Sequence, residues 1–246
     1  MKRLPKNIPL PPTESPTITK LHILQKIINE KILSSFTKIG IHHRHNLLTT
    51  TEILKTYLKL RKGDILLTGN FNTPINLIVP GALTHAALYL GRGKIIHAIR
   101  TGVEYNTVKH VLKQSDTIVI LRLPQNIKNK HRIIKKTIQY AKQQLGKPYE
   151  NFFKEDKSHF FCTELVNEAY KYAGHNTKLK SIKPFRTTIE KMEKNILDVT
   201  HWLKPIEFLN SNFRIIYHSR NLAYNGKEIL IRADRIQQKL SKIEKK

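Results

Sequence analysis

Apolar positions along this chain follow two spacings, and the changes between them mark its elements. Leu21, Leu24, Ile27, Ile28 and Leu33 recur at helical intervals through about Phe36, with Thr17 or Thr19 placed to cap the segment. The run Ile41-His42-His43-Arg44-His45 breaks that pattern, and Thr51 then opens a short amphipathic helix through Leu60. From Lys62-Gly63-Asp64 the chain turns into a continuous apolar run, Ile65-Leu66-Leu67-Thr68, the mark of a buried strand. Two further strands are predicted at Thr84–Leu90 and Lys94–Ile99, separated by Gly91-Arg92-Gly93. Thr117–Leu123 is the most β-branched stretch of all. Helical spacing returns from about Asn129 to Leu145 and from Cys162 to Ala173, stopped by Gly146 and Gly174, glycine being the usual residue in the left-handed position after a helix. A strand at Phe213–His218 and a charged helix from about Lys227 complete the reading. Strands followed by helices, without strand–helix alternation, predict an α+β fold with an antiparallel sheet.

These elements divide the chain into four parts. Residues 1–16 hold five prolines and read as an extended arm, and 17–60 as an N-terminal helical extension. Residues 61–175 form the expected core, and 176–246 a basic extension, mostly helical with one strand. A length of 246 residues suffices for one compact domain with additions. The N-terminus is basic but interrupted by proline before any apolar run develops, so no secretory signal is expected. No stretch approaches the roughly 18 apolar residues of a membrane span. A cytoplasmic protein is expected, with peripheral membrane association or non-standard secretion as variants.

Composition sharpens the picture at two points. The chain carries 44 Lys+Arg against 18 Asp+Glu, a formal +26, and such a balance suits polyanions: nucleic acid, anionic lipid or acidic glycan. A solvated lysine-rich surface with no dedicated ligand is the plainer reading. The positive charge is dense along the helix that contains Lys130, Arg132, Lys135 and Lys136, just after Lys128. That helix is the candidate face for an anionic membrane surface. The second point is the single cysteine, Cys162. It rules out an intramolecular disulfide framework and a thiolate metal cluster, and it leaves either a buried inert thiol or a nucleophile. His42, His43 and His45 have no carboxylate or cysteine near them in sequence to complete a metal sphere, and read as a basic loop.

The spacing around the histidines carries chemistry. A three-residue loop at Gly91-Arg92-Gly93 pairs Leu90 with Lys94, which sets His97 opposite Ala87 and His85 opposite Ile99. His85 and His97 then share a face as diagonal neighbours, so one imidazole is placed to orient the other. A two-residue loop would put them on opposite faces. In Phe161-Cys162-Thr163-Glu164-Leu165-Val166, apolar residues continue at helical spacing, so Cys162 sits at a helix N-terminus. Free N–H groups and the dipole there favour a thiolate, which predicts a pKa below that of a free thiol, and the same N–H groups suit an oxyanion. Glu164 complements the dipole.

Six segments in one order resemble a known group: Lys62-Gly63-Asp64-Ile65, Thr84-His85-Ala86-Ala87-Leu88-Tyr89, Ile95-Ile96-His97-Ala98, Gly102-Val103, Leu145-Gly146-Lys147-Pro148-Tyr149 and Phe161–Val166. The chain resembles the permuted NlpC-like papain-fold enzymes of YiiX type over about residues 60–172, and is similar also to the lecithin:retinol acyltransferase relatives. In both, histidine strands precede the cysteine helix. The resemblance implies Cys162 as nucleophile, His85 as general base and His97 as the third member orienting it, where many YiiX-type proteins carry glutamate. Tyr149 and Thr163 are candidates for contact with substrate or oxyanion. No cofactor is implied. Three function classes follow: a cysteine hydrolase of an amide or peptide bond through a thioester, a lipid acyl hydrolase or acyltransferase held on anionic membrane, and a non-enzymatic polyanion-binding protein, nucleic acid included. The lipid reading expects exposed apolar residues near the site, for which Phe71, Ile75, Leu77, Ile78 and Val79 are candidates.

Overall fold

A computed structural model describes residues 47–71, 82–148, 160–179, 203–225 and 229–232. The arm, the first helical extension, the histidine loop and Tyr149 lie outside the described residues, as do Ile75, Leu77, Ile78 and Val79. The strands are β1 (Ile65–Gly69), β2 (His85–Gly91), β3 (Lys94–Ile99), β4 (Gly102–Thr107), β5 (Thr117–Arg122) and β6 (Arg214–His218). They form one antiparallel sheet in the order β4-β3-β2-β1-β5-β6. Among the described residues four α-helices accompany it, α1 (Thr50–Lys59), α2 (Val108–Lys113), α3 (Lys130–Gln143) and α4 (Cys162–Tyr172), with a 3-10 helix at Pro205–Asn210. The α+β class read from the sequence is the class observed.

Continuous apolar runs in β1 and β5 are explained by burial on both faces. Ile65 and Leu67 pack with Leu165, Val166, Ala169 and Tyr170 of α4 and Ala141 of α3. Leu66 points the other way, to Ala87, Ile95, Val108, Val111 and Leu112, so α2 covers the opposite face. Successive strand residues alternate between these two cores, as the two-residue pleat requires.

The turn before β1 fastens the sheet. Asp64 is 1% exposed, and Arg122 at the end of β5 donates to it from Nε and Nη2, both at 2.7 Å. The Arg61 N–H donates to the same carboxylate at 2.7 Å, and the Tyr89 N–H to the Asp64 carbonyl at 2.8 Å. Tyr170 of α4 donates its hydroxyl to the Gly63 carbonyl. Lys62-Gly63-Asp64 therefore ties β1, β2, β5 and α4 together.

Several local readings need correction. Helix α1 begins at Thr50, capped by Thr49, whose Oγ1 accepts from the Glu52 N–H while Glu52 accepts from the Thr49 N–H. The β2–β3 loop holds two residues, Arg92 and Gly93, because Gly91 rather than Leu90 pairs with Lys94. Both loop residues have positive φ, as a two-residue hairpin turn demands. Leu90 is an extra bulged residue, and past it the pairs Tyr89↔Ile95 and Leu88↔Ile96 recover the register that a three-residue loop would have given. The described residues of the C-terminal part hold three strands where one was expected: β6 joins the main sheet, and β7 (Leu222–Tyr224) pairs with β8 (Ile229–Ile231). Residues 229–231, expected in a charged helix, are extended instead. Since β6 completes the sheet, that sheet reaches past residue 175.

Candidate active site

Strands β2 and β3 each contribute one histidine to the centre of the site. The paired residues of the two strands run from Gly91↔Lys94 to Leu88↔Ile96. Beyond them His85 Nε2 and His97 Nδ1 lie 2.9 Å apart, a hydrogen bond between rings whose planes meet at 74°. His97 is 3% exposed and His85 partly exposed. Burial pulls the His85 pKa down to about 3, helped by His97, and burial pulls His97 down to about 4 against the opposing pull of Glu104. Both rings are neutral near pH 7.

Cys162 opens α4, and the spacing of Phe161, Leu165, Val166, Ala169 and Tyr170 explains why: all five are buried against the sheet. Glu164 accepts from the Phe161 N–H at 3.1 Å, satisfying one of the free donors of the first turn. The sulfur takes hydrogen bonds from the backbone of Ala86, Thr163 and Cys162 itself. Ala86 is the residue after His85 on β2, beyond the last β2–β3 pair, where its backbone is available to the helix terminus. The structure thus pairs His85 with His97 directly, and brings the thiol to β2 one residue from His85 through backbone donors. The buried Thr163 stands at the second position of α4.

The expectation of a lowered thiol pKa is overturned. Three N–H donors favour the thiolate, but burial outweighs them and pushes Cys162 up to about 11. Sequence reasoning saw the helix terminus and not how deeply it is covered. The resting pair is a neutral thiol beside neutral imidazoles, and reactivity must rise with pH toward the thiol pKa. Alkylation by iodoacetamide, confined to the single cysteine, is expected to show a midpoint above the roughly 8.5 of a free thiol. A midpoint below that value would restore the preformed thiolate.

The surface candidates lie on and just before α3. Lys128, Arg132 and Lys135 are exposed, and Lys130 and Lys136 partly so. Phe71 packs against the main core rather than standing free. A residue the sequence reading missed is Glu104 of β4, directly across from His97, with Oε1 3.9 Å from His97 Nε2.

Comparison with known proteins gives the family and the fold. Residues 59–212 match the sequence profile of the permuted papain-like amidase enzymes, YaeF/YiiX, C92 family. The chain is similar to the probable lipoprotein peptidase YaeF of Escherichia coli strain K12, 21% identical over 156 residues that cover 47% of this chain and 57% of that protein. It therefore spans little more than half the length of this curated relative. The fold resembles the crystal structure described as metalloprotein yiiX from Escherichia coli O157:H7, with a TM-score of 0.56 and 19% identity over 65% of this chain and 98% of that one. Among the described residues here, no group of three or more His, Cys, Asp and Glu side chains is placed to hold a metal ion. Nor is any described helix long and apolar enough to cross a membrane.

Proposed function

The chain belongs to the permuted papain-like amidase family, YaeF/YiiX, C92, and from that premise we propose that it is a cysteine hydrolase that cleaves an amide or peptide bond through a thioester. The observation that carries the proposal is the lone cysteine at the N-terminus of α4, held against β2 beside a hydrogen-bonded histidine pair. Cys162 acts as nucleophile, His85 as general base and His97 as the residue that orients His85. Because thiol and imidazole are both neutral at rest, the proton moves as attack begins: Cys162 loses it to His85 while the sulfur bonds to the substrate carbonyl carbon. His85 Nε2 is engaged with His97, which leaves Nδ1 to take the proton and later deliver it to the leaving amine. Water then hydrolyses the thioester, with His85 again as base. The backbone N–H groups of Cys162 and Thr163 that now meet the sulfur are the donors that would receive the oxyanion. Thr163 serves through its backbone in this scheme, and Tyr149 is a further candidate for substrate contact.

A second reading, lipid acyl hydrolysis or transfer, is favoured by one feature. The basic helix α3 packs beside the nucleophile helix α4, so an anionic surface drawn to Lys128, Lys130, Arg132, Lys135 and Lys136 would lie close to the site. Each lysine near such a surface contributes about 1 kcal/mol at modest salt. Polyanion binding without catalysis would leave the hydrogen-bonded histidine pair without use.

One experiment separates these readings. Peptide acyloxymethyl ketones and acyl-phosphonate lipids, the latter in vesicles with or without anionic lipid, are scored by intact mass and by mapping of the adduct. A peptide-probe adduct on Cys162 is expected. Labelling by the lipid probe alone, rising with anionic lipid and falling with salt, would move the assignment to lipid chemistry. Labelling by neither would leave the polyanion-binding reading.

A further inference from the structure

His97 Nε2 is buried and makes no hydrogen bond among the described residues. A buried polar nitrogen left so is uncommon and asks for a reason. The nearest charge is the carboxylate of Glu104, which β3–β4 pairing sets directly opposite, at 3.9 Å. Glu104 is itself held: Thr101, in the two-residue turn before β4, donates from Oγ1 to Glu104 Oε2 at 2.6 Å. That leaves Oε1 turned to the ring. The turn is fixed in its own right, because Gly102 has φ of +113° and a Cβ there would come within 2.6 Å of the Lys147 carbonyl. Side chain, turn and register all aim one carboxylate oxygen at the far nitrogen of the His85–His97 pair.

The proton inventory then follows. If His85 Nδ1 is to accept from the thiol, His85 carries its hydrogen on Nε2 and donates it to His97 Nδ1. His97 Nδ1 is then an acceptor, so its hydrogen must sit on Nε2, the nitrogen that faces Glu104. Both rings of the pair are neutral, and each hydrogen points toward the carboxylate. When His85 takes the thiol proton, the positive charge stays on it and is stabilised by the aligned N–H dipoles and the negative charge of Glu104 beyond them. His97 remains neutral throughout, and only the thiol proton moves.

We infer that Glu104 is a positioning residue of this site: its carboxylate fixes the Nε2–H tautomer of His97 and, through His97, favours the thiolate–imidazolium pair of Cys162 and His85. The inference rests on the reading of His85 as base. Other titratable groups around His97 are His85 on β2, His110 on α2, which disfavours a charged His97, and Cys162 on the helix packed over β3. Of these charges on His97, that of Glu104 favours the cation, which suits a role in stabilising the charge formed during attack; Glu164, on α4, acts on Cys162 instead.

The test reads Cys162 alkylation by iodoacetamide from pH 6 to 11 in the full chain, which requires no substrate. An opposite charge within about 4–6 Å of a titrating group shifts its pKa by about 1–3 units. Glu104 faces His97, and His85 lies one ring further off, with centroids 5.0 Å apart. An effect at the low end of that range, about 1 unit, is expected. Glu104→Gln is therefore expected to slow alkylation near pH 7 about 10-fold, where the reactive species is the ion pair with His85. At pH 11, where solvent hydroxide removes the proton, the rate is expected to match the wild type. In a His97→Leu background, which has neither an acceptor for His85 nor a donor toward Glu104, the same substitution should change nothing, since its route is gone. A Glu104→Gln rate equal to wild type at pH 7, or an equal loss with His97 absent, overturns the inference. A wild-type rate indifferent to His85→Ala overturns both the inference and the base assignment, whereas sensitivity to His85→Ala with none to Glu104→Gln removes the inference alone. Long-range ¹⁵N–¹H correlation in the unmodified protein gives a check free of any variant. Nε2–H on both rings is expected, and Nδ1–H on His97 defeats the proposal.

Discussion

Replacing Cys162 by alanine is expected to abolish turnover of any substrate the wild type cleaves, by about 10⁴-fold or more, because no thioester can form. Truncating His85 to alanine should cost about 10²–10⁴-fold, the usual range for a lost general base. His97→Ala should cost about 10²-fold in kcat with KM little changed, since His97 acts on His85 and not on substrate. The three losses should not add. Once the nucleophile is gone, removing its base has nothing left to slow, so Cys162→Ala and the Cys162→Ala/His85→Ala double variant should be indistinguishable. Raised pH offers a further discriminator. With the thiol pushed up to about 11, hydroxide can do part of what His85 does, so the deficit of His85→Ala should shrink between pH 7 and pH 10 while that of Cys162→Ala does not. Steady-state rates on the peptide probe scaffold, with an unfolding curve for each variant, check all of this. A Cys162→Ala protein that keeps a tenth of its activity would remove the cysteine from the mechanism.

How far the sequence revealed this site depended on whether a feature was local. The nucleophile helix was legible because five apolar positions from Phe161 to Tyr170 hold helical spacing, and all five are buried. The histidine pair was legible from hairpin arithmetic, although the loop was counted one residue too long. The bulge at Leu90 compensated for that, so the shared face of His85 and His97 survived. Glu104 was missed for want of one more step. Arg100-Thr101 makes a second two-residue turn, and extending the register across it gives His97↔Glu104. The thiol pKa could not be read locally, because it is decided by how much of the sheet and α4 closes over the sulfur. Strands β7 and β8 are three residues each, too short for periodicity to register beside a lysine-rich run that suggested helix.

The same distinction between local motif and distant partner governs stability at Asp64, where we expect the largest thermodynamic effect. The segment Lys62-Gly63-Asp64 looks in sequence like a simple turn before a strand. In the fold its carboxylate is 1% exposed and takes both Nε and Nη2 of Arg122, from the far end of β5, with the Arg61 N–H as third donor. Burial pushes the Asp64 pKa up despite these donors, so desolvation has absorbed much of what the pairing returns. Such a pair contributes modestly while intact but is costly to break from one side. Asp64→Ala would leave the Arg122 guanidinium, its side chain 13% exposed, without its counter-charge, and the Arg61 N–H without an acceptor. The expected loss is about 3–5 kcal/mol, a large part of the roughly 5–15 kcal/mol that holds a domain together. Urea unfolding should show it as a lower midpoint with an unchanged slope. Removing both charges, as Asp64→Leu with Arg122→Met, should recover part of the loss, because no buried ion is then left alone. A single-variant loss below about 1 kcal/mol would mean that the pair behaves as a solvated surface contact and does not fasten β1 to β5.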